Sequence, residues 1–281
     1  MMNNTLEELK NAIRQKQIIL FVGSGLSCSV GLPSWNKLIG DLAKQLGIDS
    51  TLFQLLGDNL SLAEYFAIKS KEINGPTYSP MEFLCERIKN AENDHLNDIK
   101  NSIIHKSIVN LKCPIIYTTN YDHCLEIAYK QENMKYHTIS NVHDIITLPS
   151  DTTQIVKIHG DYTCPQDIVF TESSYFDRLD FESPLDIKLR GDMLSKSILF
   201  IGYSLSDVNI RLLIHKLDKI WKRNSGDTNK FLATRPKSYI FMARPNYIQE
   251  AILQQRDIVP IIGNNIDQGI STQEFLENIQ P

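Results

Sequence analysis

The chain has 281 residues, 42% of them hydrophobic, with 29 basic against 33 acidic side chains. That length can bury one large core, and a net charge of -4 leaves no surplus of cations to neutralise a phosphate backbone, so no direct nucleic-acid binding is expected. The start, MMNNTLEELK, lacks a basic segment followed by an apolar one, and no apolar run approaches the roughly 20 residues of a membrane span; the expected compartment is the cytoplasm, with no membrane partner.

In chain order, Leu6, Leu9, Ala12 and Ile13 recur at helical spacing and predict an amphipathic helix before a first strand, Ile18 to Val22. This strand stops at Gly23-Ser24-Gly25. The motif is not Walker A, because Leu32 follows Gly31 where that motif needs Lys, and Cys28 holds the third position of an imperfect G-x-G-x-x-G. A helix beginning near Ser27 would offer free backbone N–H groups to a pyrophosphate, whereas a bare strand-to-helix turn would hold nothing. Residues 36–110 carry helical spacing without a comparable strand and predict a helical insertion, broken at Asn74 to Pro76. Apolar runs then return at Ile115 to Thr118, Ile155 to Ile158, Ile198 to Ile201 and Tyr239 to Met242, with a weaker one at Ile258 to Ile262. Lys222 to Lys230 reads as a polar loop. Continuous apolar strands separated by helices predict an α/β fold: a Rossmann-like, doubly wound parallel sheet covered on both faces.

In such a sheet ligands bind beyond the carboxyl ends of the strands. Those ends are polar: Gly23-Ser24-Gly25, then Thr119-Asn120-Tyr121-Asp122, His159-Gly160-Asp161, and Gly202-Tyr203-Ser204-Leu205-Ser206-Asp207. Each has a plainer reading. Asn120 and Asp122 suit turns and caps, His159 a satisfied core histidine, and Asp207 and Asn209 the cap of a following helix. His105, in a helix before the second strand, reads as structural, as do Tyr121 and Tyr203. The five cysteines, Cys28, Cys85, Cys113, Cys124 and Cys164, contain no C-x-x-C pair, which predicts buried thiols and no metal.

Taken together, GSGLSCSVGLP, TTNYD, KIHGD and FIGYSLSD resemble, in order and spacing, the motifs of the sirtuins, NAD-dependent enzymes with a Rossmann domain and a smaller inserted module. The resemblance implies one sirtuin-like domain over residues 1–281, with a Rossmann core in 1–35 and 111–281 and the helical insertion in 36–110. It departs from the deacylases: their four-cysteine zinc module is missing, Ser34-Trp35-Asn36 replaces Asp-Phe-Arg, and Thr171 replaces the Gly of their peptide-binding F-G-E. GYSLSDVN, with SW after GLP, is similar instead to the sirtuin-like NAD hydrolases of bacterial antiphage defence.

What the resemblance implies is NAD as substrate, no metal, and cleavage of the nicotinamide–ribose bond to nicotinamide and ADP-ribose. Gly23, Ser24, Gly25 and Ser27 would hold the pyrophosphate, with Gly202 and Ser204 at phosphate or adenosine ribose. Trp35 would cover the nicotinamide ribose, its plainer alternative being a packing aromatic, and Asp122 would receive the carboxamide. Asn120 would position water and ribose, and His159 would be the general base. Two alternatives stand beside this: a protein deacylase or ADP-ribosyltransferase, against which the missing cysteines argue, and a non-catalytic module binding NAD or ADP-ribose, which would not need Asn120 and His159 together. An NAD-depleting effector needs gating, and with the chain filled by the catalytic fold the expected trigger is a homo-oligomer or an activating partner encoded nearby, a motor ATPase or an Argonaute-like protein.

Overall fold

The computed structural model describes residues 2–203, 207–223 and 235–281. Ser204 and most of the polar stretch Lys222 to Lys230 lie outside the described residues. The strands are β1 (Ile18–Val22), β2 (Ile115–Thr118), β3 (Tyr136–Ile139), β4 (Thr153–Lys157), β5 (Ser197–Ile201), β6 (Ser238–Met242) and β7 (Ile258–Ile262). They form a seven-stranded sheet in the order β3-β4-β2-β1-β5-β6-β7, with every neighbouring pair parallel. Without the edge strand β3 this is the strand order of a doubly wound Rossmann sheet, and the direction of winding reverses at β1, between β2 and β5.

The helices in chain order are α1 (Met2–Arg14), α2 (Ser24–Cys28), α3 (Trp35–Gln45), α4 (Ser50–Leu55), α5 (Asn59–Asn74), α6 (Pro80–Asp94), α7 (Leu96–Lys100) and α8 (Ile103–Asn110). After β2 come α9 (Cys124–Gln131), α10 (Val142–Ile146), α11 (Glu172–Phe176), α12 (Pro184–Ser195), α13 (Val208–Arg223), α14 (Tyr247–Gln254) and α15 (Gln268–Asn278). Strand β1 shows why the sheet is sandwiched. Ile18, Leu20 and Val22 pack with α1, α8, α9 and α15, while Ile19 and Phe21 point the other way into side chains of α12, α13 and α14. A strand apolar at every position can be satisfied only by helices on both faces. No helix among the described residues is long and apolar enough to cross a membrane.

Three local readings change. Strand β4 runs over Thr153–Lys157 rather than Ile155 to Ile158, so it ends on a lysine. Strand β3, unexpected from YHTI, is an edge strand that pairs only with β4 and buries only Ile139, so it needs no apolar run. Helix α2 begins at Ser24, not near Ser27. The stretch 36–110 also divides by packing: α3 to α6 share a cluster with Ile168 and Phe170, whereas Ile104, Ile108 and Val109 of α8 join the cluster beneath β1. The break at Asn74 to Pro76 falls where α5 ends and Gly75 takes φ +95°.

Glycines at the winding reversal bring two strand ends together. The Gly23 N–H donates to Ile201 O at 3.0 Å and the Gly25 N–H to Gly202 O at 2.9 Å. A Cβ on Gly23 would sit 2.4 Å from Gly202 O, and one on Gly202, at φ +62°, would sit 2.1 Å from Leu26 Cδ1 and 2.9 Å from its nitrogen. What arrives at the glycine turn is therefore, first, the backbone that follows β5. Gly202→Ala is expected to lower stability by about 2–5 kcal/mol in urea denaturation, from left-handed strain plus overpacking. Gly191→Ala, in the exposed interior of α12 with nothing within 4 Å, should instead raise it by about 0.5–1 kcal/mol.

Candidate active site

The end of β2 is pinned to the end of β1. Thr118 Oγ1 donates to Val22 O at 2.8 Å and accepts from the Asn120 N–H at 3.0 Å, and Asn120 Nδ2 donates to Ser27 Oγ at 3.0 Å. Asp122 Oδ1 accepts from the Cys124 N–H at 3.1 Å, at the start of α9. Ser24, Ser27, Trp35, Asn120 and Asp122 line one cavity of about 80 Å³. Trp35 opens α3 behind the Ser34 cap, stacks on Phe170 at 5.8 Å and 15°, and meets Tyr175 edge-on at 6.1 Å. Asn120 Oδ1 and Trp35 Nε1 are both buried without a protein partner. An unsatisfied buried polar group costs about 1–3 kcal/mol, so an acceptor and a donor left open beside one cavity are suited to a polar ligand.

His159 is not in that cavity. It is 1% exposed, with Nδ1 3.3 Å from the Tyr175 hydroxyl and Nε2 3.3 Å from Asp207 Oδ2. Burial pulls its pKa down to about 4 against the opposing pull of Asp207. The sequence grouped Asn120 and His159 around one crevice; in the structure Trp35 and Phe170 line the cavity with Asn120, and the imidazole packs edge-on to Tyr175, which in turn meets Trp35. Gly25 and Gly202 instead line a larger cleft of about 960 Å³, with Cys28, Arg244, Asn246 and Gln268, past the ends of β1, β5 and β6. Gly23 is buried beneath the turn and Ser24 is exposed. Tyr121 and Tyr203 pack, the first donating to Val169 O at 2.7 Å and the second lying against Phe21 and Phe200. The structural reading of His105 also holds: it is 1% exposed and bonded to Ser102 at 2.8 Å.

Sequence reasoning missed what holds these loops. Lys157, fully buried at the end of β4, donates to Asp161 Oδ2 at 2.6 Å and to Tyr121 O at 3.1 Å, and lies 3.3 Å from Glu126 of α9. Asp161 also accepts from His123 Nε2 at 2.8 Å and the Thr163 N–H at 2.9 Å, while the buried Glu92 accepts from the His123 N–H at 2.6 Å. Burial would lower the lysine's pKa and raise that of Asp161; Glu126 and Asp161 override the first, His123 and Lys157 the second. Among the described residues His123, Glu126 and Asp161 are the one group close enough to grip a cation, and the Lys157 ammonium already supplies its positive charge. The available signal was KIHGD itself, with opposite charges four apart at the end of an apolar strand. Tyr175, three positions past the Phe170-Thr171-Glu172 stretch, carried no signal of its own.

Two outcomes follow. Lys157→Met should cost about 3–5 kcal/mol in urea denaturation, because it leaves Asp161 and Glu126 buried without their cation. His105 and His159 both have pKa values lowered to about 4 by burial, so the unfolded chain takes up protons below about pH 6.5 while the folded one does not. Stability should therefore be highest above pH 6.5 and fall towards pH 4, by up to about 3 kcal/mol per histidine. His105→Asn should make that fall shallower in denaturation curves taken at pH 7 and 4.5; an unchanged slope would remove His105 as a cause.

Residues 114–261 match the family model described as SIR2-like domain. The chain is 26% identical over 221 residues to the "NAD(+) hydrolase ThsA" of Bacillus cereus (strain MSX-D12), covering 78% of this chain and 44% of that protein. It is 28% identical over 223 residues to the protein of the same name from Enterococcus faecium, with the same coverage of each. To "Defense-associated sirtuin 2" of Bacillus subtilis it is 26% identical over 236 residues, covering 78% of this chain and 21% of that one. The chain thus spans less than half the length of these relatives. The matched segment carries β2 through β7, with Asn120, Asp122, His159 and Gly202 at the strand ends, and on that match the chain belongs to the SIR2-like domain family.

Proposed function

We propose that this chain hydrolyses NAD+, breaking the nicotinamide–ribose bond to release nicotinamide and ADP-ribose, and that it does so as an NAD-depleting effector in antiphage defence. The observation that carries the reading is the pair of unpartnered groups, Asn120 Oδ1 and Trp35 Nε1, beside a small cavity where the ends of β1 and β2 meet. Family membership and the names of the relatives support the same reading.

Cleavage builds positive charge on the ribose, and a site accelerates it by holding sugar and attacker in place and stabilising that charge. Asn120 would present its free amide oxygen to a ribose hydroxyl or to water, an acceptor that does not titrate. Asp122 would take the carboxamide N–H groups, and His159 would accept a proton from ribose or water. The adenosine and pyrophosphate would occupy the larger cleft, whose volume of about 960 Å³ is within the usual range for ligand sites, against Gly25 and Gly202 in its wall, with Gly23, Ser24 and Ser27 in the same glycine turn as Gly25 and Ser204 in the same segment as Gly202.

A cavity of about 80 Å³ is small even for the nicotinamide end alone, so its entry would require the lining, which includes Trp35 and Phe170, to move. That requirement supports gating by a second event, either assembly of several copies or contact with another protein. A motor ATPase or an Argonaute-like protein encoded nearby is our proposed source. Nicotinamide release from NAD+, measured with the protein alone and with the product of the neighbouring gene, tests the reading. Asn120→Ala and His159→Ala should each lower turnover at least about 100-fold with the cooperative melt retained. Full turnover in both variants would exclude these roles, and absence of release under every condition would exclude the activity.

A further inference from the structure

The glycine turn spends its own backbone donors. The N–H groups of Gly23, Gly25 and Leu26 donate to Ile201 O at 3.0 Å, Gly202 O at 2.9 Å and Gly23 O at 3.2 Å. A helix N-terminus that receives a pyrophosphate does so with free N–H groups, and at this turn three of them are already taken by the protein. The large cleft beside the turn therefore needs another source of positive charge for a pyrophosphate, in a chain whose net charge is -4. Among the described residues of its wall there is one basic side chain, Arg244, and one acidic, Asp267.

Arg244 follows the end of β6 by two residues and Gly202 follows the end of β5 by one; these strands run parallel and side by side, about 4.8 Å apart. The acids around it are engaged elsewhere. Asp267 Oδ1 accepts from the Ile270 N–H at 2.9 Å as the cap of α15, and Glu250 Oε1 accepts from the Asn246 N–H at 2.9 Å. Asn246 Oδ1 accepts in turn from the Gln249 N–H at 3.1 Å, so the chain just after Arg244 is fixed as the cap of α14. Arg244 itself is exposed, and its side chain makes no ion pair or hydrogen bond among the described residues. We propose that Arg244 is the anion-binding residue of the large cleft: its guanidinium pairs with a phosphate group on the adenosine half of the dinucleotide and supplies the charge that the spent backbone of the turn does not. This assignment rests on the reading that the chain acts on NAD+. A planar guanidinium grips two phosphate oxygens at once, which a single N–H cannot do. In NAD+ the group is the pyrophosphate; a 2′-phosphate on the adenosine ribose offers the same chemistry to the same side chain.

Binding of the reaction product tests this without turnover. ADP-ribose, titrated calorimetrically, should bind Arg244→Gln about 10- to 100-fold more weakly than the unaltered protein. Added salt should weaken binding to the unaltered protein more than to the variant. Arg244→Lys, which keeps the charge without the planar fork, should recover part of the loss. The side chain is exposed, so the melting transition should not move, and adenosine, which carries no phosphate, should bind both proteins alike. A parallel titration with 2′-phospho-ADP-ribose separates the two sources. Equal weakening of both ligands in Arg244→Gln assigns the pyrophosphate, and weakening of 2′-phospho-ADP-ribose alone assigns the ribose phosphate. Both ligands held by Arg244→Gln as tightly as by the unaltered protein, or neither bound by the unaltered protein, overturns the proposal. Where the pyrophosphate is the partner, Arg244→Gln in the activated protein should raise KM for NAD+ at least about tenfold with kcat within about threefold, since uniform binding is lost. If ADP-ribose binding depends on Arg244 but no condition yields nicotinamide, the hydrolase reading fails and the anion site stands.

Discussion

A single buried ammonium holds the strand-end loops in place. Lys157 is the last residue of β4, and three different segments satisfy its charge: Asp161 from the loop after its own strand, Glu126 from α9, and the Tyr121 carbonyl from the loop after β2. A lysine in such a place is tolerable only if every partner is present, since an unpaired buried charge costs several kcal/mol. The loop with Asn120 and Asp122 and the loop with His159 are thus held to one another. His123 and Glu92 extend the same linkage to α6, and through it to the helical module that includes Trp35. Such a network rewards one arrangement and penalises partial ones, which is what a site built from separate segments needs.

The second constraint is steric. At the winding reversal the ends of β1 and β5 approach so closely that Gly23 and Gly202 have no room for a side chain. Part of the glycine pattern that suggests a phosphate cradle is therefore required by the sheet itself. Gly25, exposed at the start of α2 and lining the large cleft, remains open to a ligand on its outer side. One motif serves strand packing on one side and the cleft on the other.

How much of this was legible depended on whether a signal is local. Strands β1, β2 and β5 could be read because burial on both faces leaves an unbroken apolar run, whereas β3 could not, because an edge strand with Tyr, His and Thr half exposed has no such run. Asn120, Asp122 and His159 stood out by following strands, and the chain's own alternation told that they share one edge of the sheet. Their local environments did not show. Nothing near His159 in sequence announces that Tyr175, sixteen positions on, and Asp207 come within 3.3 Å of its ring nitrogens. Asp207 was visible as a departure from the deacylase pattern, but a capping residue and a histidine partner look the same in one dimension. Whether Trp35 packs or covers was undecidable for a like reason: it stacks on Phe170 and lines the cavity at once.

That double position of Trp35 sets a threshold. Trp35 and Phe170 belong to the apolar cluster of α3 to α6, so two rings that line the Asn120 cavity pack in one cluster with Leu38, Phe66, Leu84 and Ile168. For any ligand that must separate those rings, the apparent affinity is the intrinsic one multiplied by the fraction of molecules already open, and each 1.4 kcal/mol favouring closure reduces it about tenfold. Small changes of volume in that cluster would therefore shift the ligand concentration at which the site responds without altering the chemistry inside it. Under the proposed function the helical module would act as a sensitivity setting, so that two chains with identical strand-end residues would differ in the level of ligand they answer to.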